Sequence, residues 1–132
     1  MEFEVSFQDG IFTVVTRGDA EVMKFREYLD EMFEHDRWQP GMPVLHDHSE
    51  LNSGPLSVDD IRLIADFCAE SREQFGNSRL AVVVFRDVEF GLARMWGAFV
   101  DGRWNATAQT FRTPKEGRQW LLQEEPPRAS GE

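Results

Sequence analysis

The sequence predicts an α/β fold with a mainly parallel sheet, and three observations lead there. Leu80 to Phe85 is an unbroken apolar run, the pattern of a central parallel strand covered on both faces. Stretches of strand and helix periodicity alternate along the chain as β-β-α-β-α-β-α-β-α, which implies right-handed crossovers between parallel strands. The length of 132 residues is that of one domain, with 41% hydrophobic residues and eleven Phe to fill a core.

Taken in order, Met1 to Gln8 alternates, with Phe3, Val5 and Phe7 on one side and Glu2, Glu4, Ser6 and Gln8 on the other. This is a half-exposed strand. Asp9-Gly10 signals a hairpin, and Ile11 to Thr16 returns as the second strand. The first strand is therefore expected as an antiparallel N-terminal edge strand. Asp19 is positioned to N-cap a helix in which Val22, Phe25, Leu29, Met32 and Phe33 recur at helical spacing. Its other face is charged and reads as solvated scaffold.

After the loop at Arg37 to Gly41, Met42 to His46 is expected as a short strand ending in the polar cluster His46-Asp47-His48-Ser49-Glu50. Leu51 to Pro55 reads as a turn. Ser57 then caps a helix whose first turn carries Asp59 and Asp60 at the positive end of the dipole. Ile61, Ile64, Ala65, Phe67 and Cys68 form its buried side, and Gly76-Asn77 closes it. The 80–85 strand follows. Asp87 is the expected cap of the next helix, with Val88, Leu92, Met95, Trp96 and Phe99 as its apolar face. Gly91 and Gly97 inside that helix point to a close approach of helix to sheet, or else to room for a ligand. Trp104 to Phe111 is the last strand. Pro114 suits the first turn of a final helix packed by Trp120 and Leu121. The domain is expected over residues 1–122, and 123–132 as a disordered polar tail.

Charge and motifs bound the function. A net charge of -10 disfavours nucleic-acid binding. There is no membrane-length apolar run and no basic-then-apolar N-terminal signal, so a cytoplasmic protein is expected. Cys68, the only cysteine, reads as a small buried hydrophobe. His46 and His48 share one side of a strand with Asp47 opposite. Two histidines without a third ligand do not make a metal site, and His35 belongs to an exposed helix end. No nucleophile motif or phosphate loop is present, so neither enzymatic activity nor a cofactor is expected.

The turn and helix Arg86-Asp87-x-x-Phe90-Gly91-Leu92-Ala93-Arg94-Met95, followed by Gln109-Thr110-Phe111-Arg112 and Arg118-Gln119-Trp120-Leu121, resemble the SpoIIAA-like family of the STAS/SEC14-type group of small bacterial domains. The resemblance covers about residues 2 to 122. It implies a single STAS-like domain. Related STAS domains are regulatory, some switched by a phosphorylated serine at a helix start, and some relatives bind nucleotides or apolar ligands. The Asp-Ser-x-Gly pattern of the anti-sigma-factor antagonists is replaced here by Asn52-Ser53-Gly54-Pro55. Ser53 and Ser57 are the candidate phosphoacceptors.

Ligands of parallel sheets lie at the C-terminal ends of the strands. Those ends offer a rim of Arg17, Asp47, His48, Arg86, Asp87 and Arg94. The leading expectation is a regulatory or binding module that presents this rim to a protein partner. The alternative is a SEC14-like carrier of a small apolar ligand or lipid, with a pocket among Phe90, Trp96, Phe99 and Trp104. Either is compatible with a monomer or a homodimer.

Overall fold

The computed structural model describes residues 1–123, so the tail expected beyond the last helix falls, from residue 124 on, outside the described residues. The elements are β1 (Glu2–Gln8), β2 (Ile11–Asp19), α1 (Val22–Phe33), β3 (Val44–Asn52), α2 (Val58–Glu70), α3 (Arg72–Phe75), β4 (Arg79–Val83), α4 (Asp87–Val100), β5 (Thr107–Phe111) and α5 (Pro114–Leu122). The five strands lie in chain order, β1-β2-β3-β4-β5. β1 runs antiparallel to β2 and the remaining pairs are parallel. The α/β architecture with an antiparallel N-terminal edge strand is thus the one expected. Asp9 and Gly10 both take positive φ, as a tight two-residue hairpin turn requires.

Strand alternation sends two sets of side chains to opposite faces. Phe12, Val14, Val44 and Leu80 face α1 and α2, where they meet Phe25, Leu29, Met32 and Ala65. Ile11, Leu45, Ala81 and Val83 face the other way and are covered by Leu121 of α5, with Phe111 and Trp120 at the margin. A Cβ on Gly117 of α5 would sit 2.9 Å from Leu45 Cδ1 and 3.1 Å from the Ala81 Cβ. α5 therefore lies against the sheet at a distance only glycine permits.

Several local expectations are corrected. α1 begins after Glu21, with no side-chain cap, and Asp19 is the last residue of β2, where it accepts a hydrogen bond from the Asn52 amide at 2.8 Å. β3 is nine residues long rather than a short strand ending at His46, because β2 continues beside it to Asp19 and pairs with it as far as Asn52. β4 ends at Val83. Past Val84 the chain leaves the sheet, no layer covers it, and Phe85 is 66% exposed. The last strand starts at Thr107, so Trp104 precedes it and packs into the helical layer. Arg86, not Asp87, occupies the N-cap position of α4. A Cβ added at Gly91 or Gly97 meets nothing within 4 Å, so the close helix-to-sheet contact belongs to Gly117 instead.

This contrast yields a paired expectation. Helix propensity alone makes each Gly→Ala change in a helix stabilising by about 1 kcal/mol. Gly91→Ala and Gly97→Ala should follow that rule, whereas overpacking should make Gly117→Ala destabilising by ~1–2 kcal/mol. Urea unfolding of the three variants measures both signs.

Candidate functional site

The polar stretch of β3 creates the site. Val15 pairs with Asp47 and Arg17 with Glu50, so the two residues His48 and Ser49 oppose the single residue Thr16. This is a β-bulge, and a bulge re-aims the side chains around it. Before the bulge, Val44, His46 and His48 face the helices. After it the phase shifts by one, and Leu51 and Ser53 face the helices as well. The bulge is pinned from both sides: Thr16 Oγ1 lies 2.7 Å from His48 Nδ1, and the Ser49 amide and hydroxyl donate to Asp47 Oδ1 at 3.1 and 2.6 Å.

A cavity of about 100 Å³ lies against this face, between β3, β4 and helices α1, α2 and α4. Its wall is mostly apolar, including Phe25, Leu51, Ile64, Val82, Leu92 and Trp96. Polar groups gather at one side. Tyr28 Oη lies 3.3 Å from His46 Nδ1, and His46, 6% exposed, has no partner at Nε2. Trp96 Nε1 is likewise buried, with only the Cys68 sulfur, a weak acceptor, beside it. Cys68 also lines the space, and burial pushes its thiol up to about 12 against the smaller opposing effect of the neighbouring Trp96 indole. That thiol is un-ionised at neutral pH and is not a nucleophile.

Glu89, in the first turn of α4, closes this side and is only 4% exposed. Its carboxylate accepts from the Arg86 amide at 3.1 Å, the Arg86 guanidinium at 3.0 Å and the Ser53 hydroxyl at 3.1 Å. Burial by itself raises its pKa, but these donors and the Arg86 charge outweigh that and hold the carboxyl below its ordinary value. The network turns Glu89 inward, and Val88, expected in the apolar face, is 63% exposed.

The residues expected to form a rim do not converge. Arg17 pairs with Glu50 at the surface, and Asp87 pairs with Arg112. Asp47 faces away from the histidines into its own Ser49 contacts. Arg94 lies with Gln109 and Thr110 in an open groove of about 380 Å³ between α4 and β5. His48 lines the cavity, and Arg86 reaches it only through Glu89. Ser53 is buried in its hydrogen bond to Glu89, while Ser57 is exposed and closes a capping box with Asp60.

The expected pocket among Phe90, Trp96, Phe99 and Trp104 is split: Phe90 and Trp96 line the groove between α4 and β5, whereas Phe99 and Trp104 do not. Trp96 stands perpendicular to Trp104, 5.6 Å between ring centres, and with Phe99 they pack into the helical core. Phe90 turns outward under the Arg112 guanidinium. Only Trp96 borders the cavity, on its other side. Tyr28 and Glu89 are the cavity residues that sequence reasoning missed. Tyr28 follows Phe25 by three and precedes Met32 by four, which was a legible signal for the buried stripe. Glu89 carried no such signal. Among the described residues no group of three His, Cys, Asp or Glu side chains is placed to hold a metal ion, and no helix is long and apolar enough to cross a membrane.

No family model matches the sequence, and no curated protein does. In three dimensions the chain is similar to an uncharacterised protein of the DUF3478 family from Shewanella loihica PV-4, whose crystal structure is described as having a SpoIIAA-like fold. The TM-score is 0.56 at 14% identity, over 92% of this chain and 93% of that one. At that identity the likeness shows the fold: this chain has a SpoIIAA-like fold, as the resemblance over residues 2 to 122 implied.

The two imidazoles make the site sensitive to acid. Burial, with a smaller contribution from His48, lowers the His46 pKa from 6.5 to about 3. Burial lowers that of His48 to about 4, against the opposing pull of Asp47 and Glu89. The unfolded chain then binds more protons than the folded one below pH 6.5, so stability present above that pH is lost as pH falls toward 4 and 3. Unfolding free energy should drop by about 2 kcal/mol per histidine between pH 7 and pH 5. NMR titration should find both rings still neutral at pH 5.

Proposed function

We propose that this SpoIIAA-like chain is a non-enzymatic binding module that takes one small apolar molecule into the cavity of its helical layer. The observation that carries this reading is the pocket itself: about 100 Å³, half open to solvent, set into the helical layer and walled mostly by apolar side chains. An apolar molecule seated there would cover apolar wall that otherwise faces water. The pocket's volume is below the roughly 150 Å³ of an apolar cavity that holds benzene, so the small-ligand form of the carrier reading is preferred over the lipid form.

The test is titration with cyclopentane, followed by amide NMR. Shifts should concentrate at residues around the cavity, and Cys68→Leu, which fills part of the space, should abolish them while leaving stability within about 1 kcal/mol. Wild-type protein that shows no shifts, or a Cys68→Leu variant that binds as well, would remove the reading.

A protein-partner reading is favoured by one separate observation. Phe85 and Val88 are both more than 60% exposed and flank Arg86 and Asp87 at the start of α4. Adjacent apolar side chains at the surface are common in contact sites. If a second copy of the chain is the partner, sedimentation velocity should detect a dimer that Phe85→Ser/Val88→Ser dissociates. A wild-type monomer at high micromolar concentration would exclude that version.

A further inference from the structure

We infer that the sheet continues into a second copy of the chain: the free edge of β5 pairs antiparallel with the same edge of the partner, and the two α4 helices cross above the seam. This contact uses neither the pocket nor Phe85 and Val88.

A strand edge exposes backbone donors and acceptors, and sheets guard their edges with charge, proline or bulges. The two edges of this sheet differ in that respect. β1 carries Glu2 and Glu4 on its exposed side, and two β1 strands brought together would gather four glutamates. β5, Thr-Ala-Gln-Thr-Phe, has no charge, no proline and a regular register with β4. The Thr107 amide donates to the Ser78 carbonyl, and the Phe111 carbonyl accepts from the Val84 amide. Residues 107, 109 and 111 therefore turn their backbone groups to β4, and Ala108 and Thr110 present theirs to the open side. A two-fold axis normal to the sheet runs two such edges antiparallel, and joins five strands from each copy into one sheet.

The helix beside this edge is short of packing. Nine of the fourteen α4 residues are apolar, yet Val100 is the only one of those nine that is buried. Phe90, Arg94 and Gly97 stand on the α4 side of the open groove to β5, and Asp101 continues that stripe one turn further on. Arg94 and Asp101 are exposed, opposite in charge and two turns apart on one face. Neither is in an ion pair among the described residues. The axis that runs β5 antiparallel runs α4 antiparallel as well. Arg94 then meets the partner's Asp101, and Asp101 meets the partner's Arg94. The crossing falls at Gly97 and Ala98, where a Cβ on Gly97 would meet nothing within 4 Å and two helices can approach closely. Any extended chain could satisfy the strand edge. The reciprocal charges select a second copy, because this face is complementary to itself.

Sedimentation velocity of the full chain, at high micromolar concentration and physiological ionic strength, should show a dimer. Ala108→Pro removes an N–H that points away from β4, a change that edge strands accept, and should shift the protein to monomer while its circular dichroism stays native. Arg94→Asp should weaken the dimer about tenfold, because both axis-related contacts turn from attraction to repulsion. Arg94→Asp/Asp101→Arg should restore it. A wild-type monomer would overturn the inference. So would a dimer that survives Ala108→Pro, a double reversal as weak as Arg94→Asp alone, or a dimer dissociated by Phe85→Ser/Val88→Ser instead.

Discussion

The bulge at His48–Ser49 is the constraint on which the rest of the site depends. In a regular strand, residues 46, 48, 50 and 52 would share a face, and Leu51 and Ser53 would point away from the helices. The extra residue opposite Thr16 resets that phase. His46 and His48 before it, and Leu51 and Ser53 after it, then all reach the same space. Thr16 against His48 and Ser49 against Asp47 hold the irregular backbone in place. Without the bulge, Ser53 would not meet Glu89, and α4 would have no buried partner for its first turn.

That first turn explains why the helical layer does not close over the sheet. A helix with Val88, Leu92 and Phe99 available would normally bury the valine. Here the buried residue is a carboxylate, held by an amide, a guanidinium and a hydroxyl. A charge that far from water is tolerated only with such a set of donors. Once Glu89 is anchored inward, the rest of α4 is rotated with it, so that Leu92, Ala93 and Trp96 border a gap rather than fill one.

The two faces of the sheet are packed to different standards. On the α5 side a glycine brings the helix against Leu45 and Ala81 with no space left over. On the other side the wall combines aromatic rings with two neutral imidazoles and leaves about 100 Å³. Sheet order adds to this. The strands follow one another without reversal, so no crevice opens at a topological switch point. Rim residues such as Arg17, Asp87 and Arg94 therefore pair locally or stand apart, and the space lies beneath the C-terminal halves of β3 and β4.

By itself the sequence determined the α/β class, the element order, the N-terminal hairpin and the Ser57 cap. Those follow from periodicity and turn chemistry, which act over a few residues and are written in the chain. The Phe-Gly-x-Ala-Arg-Met stretch carried the fold resemblance for the same reason. Tertiary structure alone decided that β3 runs on to Asn52, because a polar stretch becomes strand only when β2 is there to pair with it. It alone decided that Glu89 rather than Val88 is buried, because the donors that make this tolerable come from Arg86 nearby and from Ser53, 36 residues away. The cavity belongs to this second kind. A space is defined by where its walls stop, and no local pattern in one segment records how closely another will approach.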